Sequence, residues 1–372
     1  MGKMKIGVIT MHKVRNFGSA LQAYGLQTAL EKMGHEVKII DYKYPNAANR
    51  TVKKVSFKFF LRNLLNDLGL LKFISPEAMF FAKFYKLFKL TRKYSSPQKL
   101  KQFVPAFDVY MTGSDQVWNP RYTKGDTSFL LDFAPSKARK VAYAASFATK
   151  TLDEKIAEKF TPLLKEYYAV SVREQNGKKL YESLTGKPAS IVLDPSLLLN
   201  RDEWGVVVQN KKNPWAGKDY VLVYFLSYAY DPFPYAFEVA KYVSKKTNKK
   251  LICLCLESNV ADYKRELPNA ELVQKVGPIQ FIQLFLNAGF VITTSFHGTA
   301  FGANFNKPVL SIVNPNSDDD RQSSFLKDID RSSSIVKCGD SLEELPIRQE
   351  FTSQSLDDLR RKSYSFLEEA LR

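Results

Sequence analysis

The chain has 372 residues, of which 45% are hydrophobic and 25% charged, and it carries a formal net charge of +17. That length suits two globular domains rather than one. No run of about eighteen uncharged apolar residues appears, which excludes a transmembrane helix, and the opening "MGKMKIGVIT" lacks the apolar length and cleavage pattern of a signal peptide. Residence in the cytoplasm is the resulting expectation.

The first elements read strand, loop, helix, strand. "MKIGVITMH" is a short apolar strand, and "KVRNFGS" is a polar loop. "ALQAYGLQTALEKMG" has helical periodicity and stops on Gly34, and "HEVKIIDY" is the next strand. The loop lacks the full G-x-G-x-x-G fingerprint of a dinucleotide site, yet it lies at the carboxyl end of a strand, where open α/β sheets bind ligands.

A basic insertion follows. Between Thr51 and Phe103 there are twelve Lys and Arg against two acids, so more than half of the charge excess sits in this stretch. It is also rich in aromatic and aliphatic residues, as in "MFFAKFYKLFKL". Such a segment suits an anionic membrane surface or an acidic lipid-linked substrate. The plainer alternative is a helical insertion packed on its own domain. Nucleic acid is not an expected partner, because no nucleic-acid-binding motif accompanies the charge.

Strands and helices then alternate. "FDVYMTGSDQVWN" and "KVAYAASFA" are strands ending in polar or small residues. "LDEKIAEKFTPLLKEY" is a helix, "YAVSVREQNGKKLYESLTG" a strand and helix, and "ASIVLDPSLLL" a strand with a turn at Asp194-Pro195. The pattern breaks over 200–218, which reads as a linker. A second alternating set follows, with "YVLVYFL", "KLICLCLE", "FVITTS" and "PVLSIV" as strands, and a terminal helix closes the chain. In "LICLCLE", Cys253 and Cys255 share one strand face as small hydrophobes. With Cys338 far away, neither a disulfide framework nor a zinc site is supported. The expected fold class is α/β, with two doubly wound Rossmann-like domains facing a cleft. The first spans 1–200 with its basic helical insertion at about 51–103, and the second spans 201–350. A terminal helix over 351–372 is expected to pack back on the first domain.

The stretch "ITTSFHGTAFGANFN" carries the clearest chemistry. A strand ends at Ser295, and His297 and Gly298 begin a helix whose first N–H groups attract phosphate or carboxylate. Gly298 permits close backbone approach. A histidine there can donate to an anion or move a proton near neutral pH. The plain alternative is a capping or core histidine.

Together, "NFGSALQAYGLQTAL", "DVYMTGSDQVWN", "SVREQNGKKL", "VLDPSLLL" and "TTSFHGTAFGANFNKPVLSIV" resemble the polysaccharide pyruvyl transferase family, in order from about Ile6 to Arg331. The resemblance implies a GT-B-like fold and transfer of a pyruvyl group from phosphoenolpyruvate to a sugar, often lipid-linked at the inner membrane face. Phosphate is released and a cyclic ketal forms, with no metal or other cofactor. It implies His297 as the catalytic acid or base. Several relatives carry arginine where this chain has Ser295, so other cations must help hold the donor. Arg173, Arg321 and Lys307 are the candidates, together with Ser295 and Gly298. The plain alternatives are salt bridges, from Arg173 to Glu174 and from Arg321 to the Asp318–Asp320 run. On the acceptor side the candidates are His12, Asn16, Gly18, Ser114 and Gln116, with Asp115 as a base. The plain alternative for "GSDQVWN" is a structural turn anchored by Trp118. Two competing functions remain at this point: a nucleotide-sugar glycosyltransferase and a non-catalytic relative.

Overall fold

The computed structural model describes residues 2–43, 75–227, 229–349 and 352–372. They form two compact units. The first is Met1–Leu198 with Arg360–Arg372, and the second is Leu199–Leu359.

The first unit is built on a parallel sheet of β1 (Lys5–Ile9), β2 (Glu36–Ile39), β3 (Val109–Thr112), β4 (Arg139–Ala145), β5 (Ala169–Val172) and β6 (Ser190–Ile191). The spatial order is β2-β1-β3-β4-β5-β6, with Val8 set opposite both Ile39 and Met111. Strands such as "VYMT" are buried on both faces, which is why they read as continuous apolar runs. The helix Phe17–Lys32 starts where the Asn16 side chain accepts the Ser19 N–H at 3.2 Å. It ends ahead of Gly34, whose φ of +92° suits a glycine stop. In the same helix a Cβ on Gly25 would lie 2.3 Å from the Pro195 carbonyl oxygen, so only glycine lets the helix reach the Asp194-Pro195 turn.

The second unit repeats the plan with β7 (Tyr220–Tyr224), β8 (Lys250–Leu254), β9 (Glu271–Val273), β10 (Phe290–Thr293), β11 (Val309–Val313) and β12 (Ile335–Lys337). All pairs are parallel, in the order β12-β11-β10-β7-β8-β9. The helix Phe296–Asn304 is buried along its whole length. Its small residues make that possible, since a Cβ on Gly302 would lie 2.6 Å from Val309 Cγ2. Cys253 and Cys255 lie in the core of this unit, where burial pushes the Cys255 thiol up to about 11 and Cys253 further.

Three features differ from the sequence reading. The stretch 200–218 is not a bare linker, because Arg201–Val208 is a helix closed by a capping box between Asn200 and Glu203. Trp204 on that helix is fully buried, 5.4 Å from the Phe301 ring. Strands β9 and β12, of three residues each, give too little alternation to be read in advance. The third feature is the insertion. Residues 51–74 lie outside the described residues, while Pro76–Tyr85 is a helix that packs inward. Phe81 stacks on Phe17 at 5.5 Å and Phe84 meets Tyr24 at 5.5 Å, so this part packs on its own domain. The terminal helix is Gln354–Ala370. Its Ser363 hydroxyl accepts the Leu193 N–H at 2.9 Å and Arg360 donates to the Leu197 carbonyl at 2.7 Å. Among the described residues no helix is long and apolar enough to cross a membrane.

Candidate functional site

In a doubly wound sheet, ligands bind beyond the carboxyl ends of the strands, at the point where the strand order reverses. That point lies between β1 and β3 in the first unit and between β7 and β10 in the second.

In the second unit the loop after β10 is "TSFHG". Ser295 is the N-cap of the Phe296–Asn304 helix, its hydroxyl accepting the Gly298 N–H at 3.4 Å. One of the helix's opening N–H groups is therefore met from within, and the capping role accounts for a small hydroxyl residue at 295. His297 occupies the first turn and is 8% exposed, with its ring 5.2 Å from that of Phe296. Gly298 has a specific reason to be glycine: a Cβ there would lie 2.3 Å from Thr293 Oγ1. That hydroxyl donates to the Tyr224 carbonyl at 2.7 Å and accepts the Ser295 N–H at 3.0 Å. The close approach anticipated at Gly298 is thus to the protein's own strand. Thr294 ties the same loop to β7, donating to the Leu226 carbonyl at 2.9 Å and accepting the Leu226 N–H at 2.6 Å.

A small pocket opens beside this loop. Thr294, Phe296, Tyr230, Asp319, Arg321 and Gln322 are among its walls. Arg321 begins the helix Arg321–Asp328 and is only 6% exposed. Its guanidinium lies 5.8 Å from the Phe296 ring and grips Asp319 with two bonds, Nε to Oδ1 at 2.7 Å and Nη2 to Oδ2 at 2.5 Å. The salt bridge foreseen with the aspartate run is therefore present, with Asp319 as the partner. Lys307 is not brought to this site. It precedes β11, and its charged neighbours are Arg201, Asp219 and Lys249, the last two just ahead of β7 and β8 at the amino edge of the sheet. Burial first, then Arg201, pushes its ammonium down to about 8.

In the first unit the quoted motifs converge at the carboxyl edge. Asp115, just after β3, has a φ of +76°, a conformation that costs a non-glycine residue energy. Its carboxylate accepts the Ser19 hydroxyl at 2.5 Å and the Gln116 N–H at 2.9 Å, and lies 3.6 Å from Arg173. Arg173, just after β5, donates to Asp194 Oδ2 at 2.5 Å, and that oxygen also accepts the Ser114 hydroxyl at 2.9 Å. Glu174 lies 3.8 Å from the guanidinium, so the anticipated ion pair is looser than the one with Asp194. Asp194 and Glu174 are both essentially fully buried; the sequence marks Glu174 as an ion-pair partner of Arg173 but Asp194 only as a turn residue before proline.

The remaining acceptor-side candidates have local duties. Asn16 is a helix cap, and Gly18 is buried in the first turn of the same helix. The Gln116 side chain accepts from Asn119 at 2.9 Å. Trp118 is the anchor the plain alternative described: fully buried, stacked 6.3 Å from Tyr181, with its indole N–H donating to the Phe129 carbonyl at 3.2 Å. His12 is 1% exposed, and each of its ring nitrogens faces an oxygen that can only accept: the Thr10 carbonyl at 3.1 Å and Asp41 at 3.3 Å. Burial alone would raise the Asp41 carboxyl, but hydrogen bonds from His12 and Lys13 outweigh it and hold the group at about 2. Among the described residues no group of three or more His, Cys, Asp and Glu is placed to hold a metal ion.

Two parallel, doubly wound units with loop-borne polar groups at their carboxyl edges define a GT-B-like protein. Solved structures share the fold. One is a Listeria monocytogenes protein assigned as a UDP-N-acetylglucosamine 2-epimerase, at 12% identity over 97% of this chain and 91% of that one, with a TM-score of 0.58. Another is Staphylococcus aureus MnaA, solved with UDP, at 13% identity over 98% and 90%, with a TM-score of 0.55. A third is Arabidopsis thaliana UGT89C1, solved with UDP-L-rhamnose, at 12% identity over 99% and 98%, with a TM-score of 0.52. These identities establish the fold alone. Comparison with curated proteins finds no match. The family model for polysaccharide pyruvyl transferase matches residues 16–317, and the chain belongs to that family of transferases.

Proposed function

We propose that this transferase moves the pyruvyl group of phosphoenolpyruvate onto a sugar of a lipid-linked polysaccharide precursor. One sugar hydroxyl adds at C2 of the enolpyruvate while C3 gains a proton. Phosphate then leaves, and a second hydroxyl closes the cyclic ketal. The observation that carries the reading is the placement of His297. It sits in the first turn of a buried helix, beyond the carboxyl end of β10, at the strand-order reversal, one residue from the wall of the pocket that holds Arg321. Its imidazolium delivers the proton to C3 or to the departing phosphate. Arg321 and the helix N-terminus attract the donor's phosphate and carboxylate. In the first unit Asp115 takes the proton of an acceptor hydroxyl, and Arg173, 3.6 Å away, orients that carboxylate. The basic stretch 51–103 brings the protein to the anionic surface that carries the acceptor.

The test is release of inorganic phosphate by purified protein. The expected result is release only when phosphoenolpyruvate and acceptor are both present, with consumption of two acceptor hydroxyls per phosphate. Thermal shift with phosphoenolpyruvate against UDP separates this reading from a nucleotide-sugar glycosyltransferase. Stabilisation by UDP alone would reject it.

A further inference from the structure

The pocket at the carboxyl edge of the second unit is small and opens to solvent, with about 30 Å³ of accessible space. The wall contains one obvious occupant of an anion's place. Asp319 presents its two carboxylate oxygens to Nε and Nη2 of Arg321 at 2.7 and 2.5 Å, the fork-to-fork geometry by which arginine holds a carboxylate or phosphate ligand. The two partners differ in freedom. The Arg321 side chain is 8% exposed and backed by the Phe296 ring, whereas the Asp319 side chain is 25% exposed. Asp319 belongs to the loop between β11 and the helix Arg321–Asp328, where its Oδ1 also accepts the Arg321 backbone N–H at 3.3 Å, so the carboxylate keeps a backbone partner when it gives up the guanidinium.

We propose that Asp319 is an internal stand-in for the donor's anionic group: it holds the fork of Arg321 in the empty protein and is displaced when the donor binds. Asp319 thereby acts as a positioning residue through Arg321 and sets donor affinity. It keeps a buried guanidinium paired when no ligand is present, where an unpaired one would be costly. It also lowers apparent affinity, because ligand must compete with a carboxylate already in place. An occupant present nine-tenths of the time weakens apparent binding about tenfold. The inference rests on the reading of this pocket as the donor site.

The experiment is isothermal titration calorimetry on the full chain with phosphoenolpyruvate and, separately, with inorganic phosphate. It compares the parent protein with Asp319→Asn, Asp319→Ala and Asp319→Glu. Loss of the carboxylate in the Asn and Ala variants is expected to tighten both anions about tenfold, and Glu is expected to restore the parent affinity. In steady-state assays the donor KM falls similarly while kcat changes less. Adding Arg321→Ala to Asp319→Asn removes the gain. Unchanged or weaker binding in whichever of the Asn and Ala variants folds would overturn the proposal, since a purely structural Asp319 orients the fork and its loss weakens binding. If phosphate binding tightens but phosphoenolpyruvate neither binds nor turns over, the stand-in stands and the donor assignment fails. If turnover proceeds through His297 but neither anion tightens, the stand-in alone fails.

Discussion

The two units use the same layer plan with different wiring, and their carboxyl edges differ in kind. The first, with its switch point between β1 and β3, fills the edge with a buried network in which one guanidinium, Arg173, lies among Asp115, Glu174 and Asp194. The second, switching between β7 and β10, lines its edge with the hydroxyls of Thr293, Thr294, Ser295 and Thr299 around a helix start. It sets one histidine and one arginine–aspartate pair there. A surplus of buried carboxylates suits accepting protons and hydroxyl hydrogen bonds. Helix N–H groups with an arginine suit an anion. The proposed division of labour between acceptor and donor draws on this contrast.

The largest expected effect is on chemistry in the second unit. His297→Ala should lower kcat by about 10²–10⁴-fold with little change in melting temperature, measured by phosphate release and thermal unfolding. Full activity in a folded variant would remove His297 from the reaction. Next comes a stability contrast between the two arginines. Arg173→Ala leaves three buried carboxylates without the cation between them and should cost about 3–5 kcal/mol in denaturant unfolding. Arg321→Ala removes an ion pair whose aspartate is 25% exposed, so its cost should be nearer 1 kcal/mol, with the damage appearing in donor KM. Equal losses would erase the distinction between a structural cluster and a ligand-facing pair. A smaller effect is expected at Gly298→Ala. The new methyl meets Thr293 Oγ1, and overpacking of about 1–3 kcal/mol is partly offset by the roughly 1 kcal/mol gain in helix propensity. The net loss should therefore be between about 0 and 2 kcal/mol, and activity should fall further than stability because the shift displaces the loop that carries His297.

Much of this contrast was legible in the residues, and the illegible part has identifiable causes. Continuous apolar runs marked the central strands, because strands buried on both faces must be apolar throughout. Gly34 marked the end of its helix as a glycine stop. The His297 turn was legible as strand, small hydroxyls and helix start. What sequence order could not supply was partnership. The aspartate run 318–320 offers three equivalent partners for Arg321, and only the fold selects Asp319. Asp194 reads as a turn former before proline, yet its carboxylate reaches Arg173 across 21 positions. Asn16 and Ser295, candidates for ligand contact, also turn their oxygens onto the chain's own N–H groups, a capping role that backbone angles decide.

The smallest effect sharpens the comparison from the side of the first unit. Two groups there respond to acid in different windows. The His35 imidazole, buried and accepting the Met4 N–H at Nδ1 at 3.3 Å, is pushed below its ordinary value by burial and then by the chain's amino group. The unfolded chain therefore binds the extra proton first, and stability falls as the pH drops through about 6.5. Asp41 behaves as a held carboxylate. Its folded value of about 2 lies below the ordinary 3.8, so its contribution is complete above that value and disappears as the pH falls towards 2. A shift of that size corresponds to about 2.5 kcal/mol undiscounted, and solvent access to the group reduces the expectation to about 1 kcal/mol. Melting temperature followed from pH 7 to pH 2 should thus decline in two steps. Asp41→Asn should flatten the lower step and leave the upper one in place. A single step unaffected by that substitution would show that the His12–Lys13–Asp41 cluster contributes nothing to folding, and would reopen those residues as candidates for binding the acceptor.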